Sequence, residues 1–129
     1  MISCLPLFSD NAIKFRNVIV HDVPAQYDGD GVMDFPVGTA LIKTFAFPSD
    51  FREPEKNLRL IGERSYCCVR KSSTQALAYV WNEDQSDAEL KGFAGKRLWF
   101  SFIDKAGEPV SLNMRFRTEP VQGLSFHQW

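Results

Sequence analysis

At the two-residue period of a β-strand, Thr39 to Phe47 (TALIKTFAF) places Leu41, Lys43, Phe45 and Phe47 on one face. Ala40, Ile42, Thr44 and Ala46 take the other. Both faces are largely apolar, which predicts a strand inside a sheet and not at its rim. Such a strand needs neighbours on each side, and the chain supplies them. Ile13 to Val20 (IKFRNVIV) alternates as a half-buried strand. Leu58 to Lys71 is long enough to need a bend, with Gly62 the natural bulge, and Gln75 to Asn82 returns beside it as an antiparallel hairpin. Lys96 to Ile103 puts Leu98, Phe100 and Phe102 on one side. Val110 to Arg117 sets Leu112, Met114 and Phe116 inward against Asn113, Arg115 and Arg117 outward. Asp104 to Pro109, with Gly107 at a left-handed position, joins these two strands. The pattern predicts an antiparallel all-β barrel or sandwich of about six strands. At most one helical turn is expected, within Asp84 to Phe93, where Ser86 and Glu89 have capping-box spacing.

The 129 residues form one domain, 1–129, large enough for a core without disulfides. Eleven Phe and three Trp predict a ring-rich interior or pocket. A formal net charge of −1 argues against a nucleic-acid partner. Cys4, Cys67 and Cys68 imply neither a disulfide framework nor a zinc site, since three is odd and adjacent strand residues face opposite ways. No apolar run is long enough to span a membrane, and the apolar stretch Met1 to Phe8 is too short for a signal peptide. The expectation is a soluble protein.

Three polar features invite chemistry. Asp28-Gly29-Asp30-Gly31 begins like a calcium loop, but Thr39 stands where an EF-hand places its bidentate Glu, which favours a plain turn. Lys43 sits within an aromatic face, either snorkelling to the rim or facing a pocket where burial would make it reactive. The third is Tyr79-Val80-Trp81-Asn82-Glu83-Asp84-Gln85-Ser86-Asp87-Ala88, an aromatic strand running into an acidic, amide-rich turn. Arg52, Arg59 and Arg64 lie near Glu53 and Glu63 in sequence, the turn adds Glu83, Asp84 and Asp87, and arginine–carboxylate forks among these groups suit pinning a loop to a strand end. The alternative is a polar pocket walled by Tyr79 and Trp81, with Asn82, Glu83, Gln85, Asp87, Arg64 and Lys43 as ligand-binding groups.

Phe35-Pro36-Val37-Gly38-Thr39-Ala40-Leu41-Ile42-Lys43-Thr44-Phe45, Asp50-Phe51-Arg52-Glu53-Pro54 with Arg59-Leu60-Ile61-Gly62-Glu63-Arg64, and the Tyr79 to Ala88 segment, with Leu7-Phe8-Ser9-Asp10 more weakly, together resemble a known group. In order and spacing they are similar to the β-rich domain of a family of bacterial secreted c-type cytochromes, over roughly residues 7–90. The first stretch also resembles a segment of haem proteins whose porphyrin is cross-linked to a lysine. The resemblance implies a periplasmic location and an electron-transfer setting. The chain departs from the family at the decisive point, because it has no Cys-x-x-Cys-His. Near the expected place it reads Gln122-Gly123-Leu124-Ser125-Phe126-His127.

Three functions follow as expectations. The first is a non-catalytic β-domain that binds a small ligand or a protein partner, without a cofactor. The second is a haem-dependent oxidoreductase or electron carrier, its haem held non-covalently or through Lys43, with His21 or His127 as axial ligand. The third is a carbohydrate-binding or carbohydrate-active domain using Glu83 and Asp87. No catalytic triad or metal-ligand spacing is present, and metal ligands are not expected. Open sheet edges on a chain this small also predict a homodimer.

Overall fold

A computed structural model describes residues 12–19, 24, 26–27, 29, 33–70 and 73–121. Among these residues lie ten strands: β1 (Ile13–Ile19), β2 (Gln26–Tyr27), β3 (Met33–Asp34), β4 (Ala40–Phe47), β5 (Arg59–Arg70), β6 (Ser73–Trp81), β7 (Ala88–Lys91), β8 (Lys96–Ile103), β9 (Pro109–Phe116) and β10 (Glu119–Val121). The main sheet has six strands in the order β1-β4-β5-β6-β10, with β7 also paired to β6. β8 and β9 form a separate hairpin, and β2 and β3 a short ribbon. All pairings between these strands are antiparallel, and one isolated parallel bridge joins Asp50 to Ile103. The sheet path is open among the described residues, so the architecture is a sandwich-like pair of layers and not a closed barrel. No helix long and apolar enough to cross a membrane occurs among the described residues.

β4 is interior, flanked by β1 and β5, as its two apolar faces require. Its odd-numbered face packs on the hairpin. Phe45, Phe47, Ile61, Ala78, Val80, Phe102 and Phe116 form the buried cluster, with Leu98, Phe100, Val110, Leu112 and Met114 packed against it. Register explains the hairpin's share: Leu98 faces Met114, Phe100 faces Leu112, and Phe102 faces Val110, so one face collects all six. Phe47 is the hub. Its ring centroid lies 4.4 Å from Phe100, 5.5 Å from Phe102 and 6.3 Å from Phe51. Burying such rings contributes about 25 cal/mol per Å² of apolar surface removed from water.

β5 carries the expected bend. Phe45 pairs with Gly62 and Ala46 with Leu60, so Ile61 is the extra residue of a bulge. Gly62 is needed because the Phe116 ring lies directly over it. A β-carbon there would stand 2.5 to 2.8 Å from three ring atoms. The hairpin Arg59–Arg70 with Ser73–Trp81 also forms, in a register from Gly62↔Val80 to Arg70↔Ser73.

The expected helical turn is absent. Ala88–Lys91 is extended and pairs with β6 through Ala78↔Lys91, Tyr79↔Leu90, Val80↔Glu89 and Trp81↔Ala88. The capping box fails because Ser86 and Glu89 bond elsewhere. The Ser86 hydroxyl donates to Asp84 Oδ1 at 2.6 Å, and Glu89 accepts from Lys91 Nζ at 2.5 Å. Along the same edge of β6, β10 pairs with residues 74–76, leaving a junction at Ala78. Thr118 fills it. Its buried hydroxyl accepts from Ala78 N at 3.2 Å and donates to the Lys91 carbonyl at 2.5 Å, while its own N–H donates to Gly92 O at 3.1 Å. One threonine therefore joins β6, the end of β7 and the strand crossing back from the hairpin.

Gly62→Ala is expected to destabilise the domain by about 1–3 kcal/mol through overpacking against Phe116. Gly92→Ala is the control, since a β-carbon at Gly92 meets nothing within 4 Å. Urea midpoints of the two variants at equal denaturant slope check this.

Candidate functional site

The polar segment after β6 is a closed structural device. Trp81 ends the strand, and Asn82 begins the reversal that delivers Ala88 back as β7. Asn82 N donates to Asp87 O at 2.9 Å, and Asn82 Oδ1 accepts from Ser86 N and Asp87 N at 3.0 and 3.2 Å. Asp84 Oδ1 accepts from the Ser86 hydroxyl and backbone N–H. These two bonds hold its carboxyl below the usual carboxylate range, the hydroxyl contributing more. Asp87 Oδ1 accepts from Ala88 N at 2.8 Å.

Gln85 does the longest-range work. It adopts a left-handed φ of 63°, which swings its side chain toward β5. Leu60 N donates to Gln85 Oε1 at 2.6 Å, and Gln85 Nε2 donates to Leu60 O at 3.0 Å and to Asn82 O at 3.0 Å. The amide thus supplies, beside the bulge, the donor and acceptor that a residue of a neighbouring strand would. The pinning role expected of arginine–carboxylate forks falls to an amide.

The sheet separates the other expected site residues. Lys43 pairs in register with Arg64, and Arg64 with Ala78, so these three positions share the face turned toward the hairpin layer. Tyr79 and Trp81 belong to the opposite face. There Tyr79 stands in register with Glu63 and Glu63 with Thr44, whose hydroxyl donates to Glu63 Oε1 at 3.0 Å. Trp81 Nε1 is buried without a partner among the described residues. Lys43 is half-buried and engaged, while for Arg64 only the backbone position is described. The structure brings Tyr79 and Trp81 beside Asn82, Glu83, Gln85 and Asp87, but sets Lys43 and Arg64 behind the sheet. Glu83 and Asp87 are exposed. His21, His127 and most of the Asp28 to Asp34 segment lie outside the described residues, although Asp34 itself belongs to β3. No group of three or more metal-ligating side chains occurs among the described residues.

A fork does form elsewhere. Arg52 Nε and Nη2 reach the Asp50 carboxylate at 3.0 and 2.6 Å, and Asp50 also accepts from Arg52 N. These bonds lower the Asp50 pKa from 3.8 to about 2 and raise that of Arg52. The loop so braced is laid against the end of β8: Phe51 N donates to Ile103 O, and Ile103 N to Ser49 O.

The most open aromatic surface escaped the sequence reading. On β8 and β9 the outward positions are Arg97, Trp99 and Ser101 against Arg115, Asn113 and Ser111, each directly opposite its partner. Trp99 is 75% exposed, the most exposed large apolar side chain described. The Ser101 and Ser111 hydroxyls bond each other at 3.0 Å. Arg115 donates through Nε and Nη2 to the Ala94 carbonyl at 3.2 and 2.6 Å, which ties its guanidinium to the loop bearing exposed Phe93. The face holds two arginines, an indole, an amide and two hydroxyls, with no carboxylate. The alternation that turned Leu98, Phe100 and Phe102 inward already turned Trp99 outward.

Gln85→Asn retains a residue tolerant of positive φ but is too short to reach Leu60, and is expected to cost about 1–2 kcal/mol. Glu83→Gln, on the exposed part of the same turn, should stay within about 0.5 kcal/mol. For Asp50 the depressed pKa sets the sign. The fork's contribution is present above pH 3.8 and is lost as pH falls toward about 2. Acid unfolding of Asp50→Asn is therefore expected to be flatter than wild type in that window.

Compared with known protein families, with characterised proteins and with solved structures, the chain shows no match.

Proposed function

We propose that this chain is a non-catalytic binding domain whose ligand face is the outer surface of the β8–β9 hairpin. The observation that carries the reading is Trp99, 75% exposed in the middle of a face otherwise built from arginine, amide and hydroxyl groups. Isolated exposed apolar residues are ordinary, but an indole flanked by cations and neutral hydrogen-bonding groups has the composition of a binding hot spot.

The ligand class follows from the chemistry of the rungs. A flat, exposed indole offers a stacking platform for the apolar face of a sugar ring. Asn113, Ser101 and Ser111 supply donors and acceptors for hydroxyls on one side of Trp99 or beside it. Arg97 and Arg115, on the next rung, supply charge for a carboxylate. The occupant that satisfies all three is a saccharide bearing a carboxylate, a uronic-acid type of ligand. The inward rings of the same strands hold the platform rigid, which lowers the ordering cost of binding. Kinship with the β-rich domain of secreted c-type cytochromes belongs to the same proposal: the domain serves as a recognition module, with chemistry left to other modules.

Affinity electrophoresis through gels containing polygalacturonate or a neutral β-glucan tests this. Retardation is expected with the acidic polymer only. Trp99→Ala should weaken binding by about tenfold or more, and Arg97→Ala by a similar factor. Absence of retardation by the acidic polymer, or equal retardation of Trp99→Ala and wild type, overturns the proposal.

A further inference from the structure

The two sides of the main sheet end differently. Beyond β6 the sheet is finished by two short strands, β7 of four residues and β10 of three. Short terminal strands are one way in which proteins blunt an edge. The opposite side ends on β1, seven residues long, with no strand beyond it among the described residues. Every residue from Phe15 to Ile19 is exposed, on both faces. Phe15 is 43% and Ile19 51% exposed, on the same face and either side of Asn17. The sequence had predicted a half-buried strand here. Among the described residues it is an edge strand, exposed on both faces from Phe15 to Ile19.

The order of side chains along β1 is self-complementary in a register centred on Asn17. In an antiparallel pair of identical strands, residues directly opposite share a face. A two-fold centred on Arg16 would set Arg16 against its own copy, and one centred on Phe15 would set Lys14 against Arg16, both repulsive. A two-fold centred on Asn17 avoids this. It places Phe15 opposite Ile19 twice, Asn17 opposite Asn17, and Arg16 opposite Val18. That arrangement gives two aromatic–β-branched pairs, an amide pair on the axis and no opposed cations.

We infer that β1 is a homodimerisation edge, pairing antiparallel with β1 of a second copy of this chain about Asn17 and continuing the sheet across the interface. A single strand pair buries less than a standard interface, so the dimer is weak and concentration-dependent. The inference is independent of the saccharide reading, because β1 and the hairpin's outer face share no residue.

Sedimentation equilibrium of the chain up to on the order of 100 µM tests it, since that range captures small, transient interfaces. Wild type is expected to show reversible monomer–dimer exchange. Phe15→Glu alone and Ile19→Lys alone should each shift the equilibrium to monomer by about tenfold, because each buries a charge against an apolar partner. An equimolar mixture of the two should recover dimer. In the Asn17 register the introduced carboxylate meets the introduced ammonium, while the remaining native Ile19 and Phe15 still meet each other. Both substitutions lie at exposed positions, and circular dichroism of each variant confirms the fold. A wild type that is monomeric throughout, a dimer indifferent to either substitution, or a mixture that fails to reassociate overturns the inference.

Discussion

The Phe116 ring rests on Gly62 with no room for a β-carbon between them, and the meeting of the two layers depends on this contact. Phe116 is 1% exposed and also meets the Phe45 ring edge-on at 5.9 Å. For the ring to sit so close, β5 must present bare backbone, and the adjacent bulge at Ile61 must bend the strand. On its other edge β5 has no strand partner among the described residues before Gly62, where β6 pairing begins, and Gln85 reaches back to bond Leu60 there. One packing contact therefore accounts for a glycine and a bulge, and the left-handed glutamine of a turn 25 residues further on closes the open edge of the same strand. Removing any of them disturbs the others, because side chains in a dense interior have no slack to take up the change.

Layer closure is a second consequence. After Phe116 the chain returns to the main sheet as β10, and it does so at a point where β6 would otherwise have an unpaired N–H between two short partners. Thr118 is suited to that point because one hydroxyl both accepts and donates. The hairpin is thereby tied to the sheet by aromatic packing at its centre and by a polar joint at its exit. The braced loop at Asp50–Arg52 holds the other end through Ile103.

The longer strands were legible in the sequence, β8 and β9 because their burial is asymmetric. Leu98, Phe100 and Phe102 alternate with Arg97, Trp99 and Ser101, and the register follows from which set finds the core. The interior place of β4 was legible from two apolar faces, and the bulge from a glycine within an unusually long run. Residues 84–91 were misread for a local reason. Ser86 and Glu89 have the spacing of a helix start, but β6 offered Ala88–Lys91 a full set of backbone partners, and tertiary pairing outweighed a weak local preference. The candidate site was legible only in part. Composition marked Asn82 to Asp87 as special, which it is, but could not distinguish groups aimed at a ligand from groups aimed at their own backbone. The separation of Lys43 from Tyr79 could not be read either, since it depends on the pairing of three strands and not on any one of them.

The two open surfaces have a geometric relation that neither has alone. In an antiparallel sheet, the two-fold relating neighbouring strands stands perpendicular to the sheet, so both copies keep the same face on the same side. The β8–β9 hairpin lies on the face that carries Phe45 and Phe47. Pairing through β1 would consequently set both hairpins on one side of the continued sheet, each presenting its Trp99 face away from it. A repeating anionic polymer could then meet two such faces at once, and a weak single contact would be strengthened by the effective concentration of the second. In the proposed dimer, the open edge and the open tryptophan would act together in one bivalent sheet.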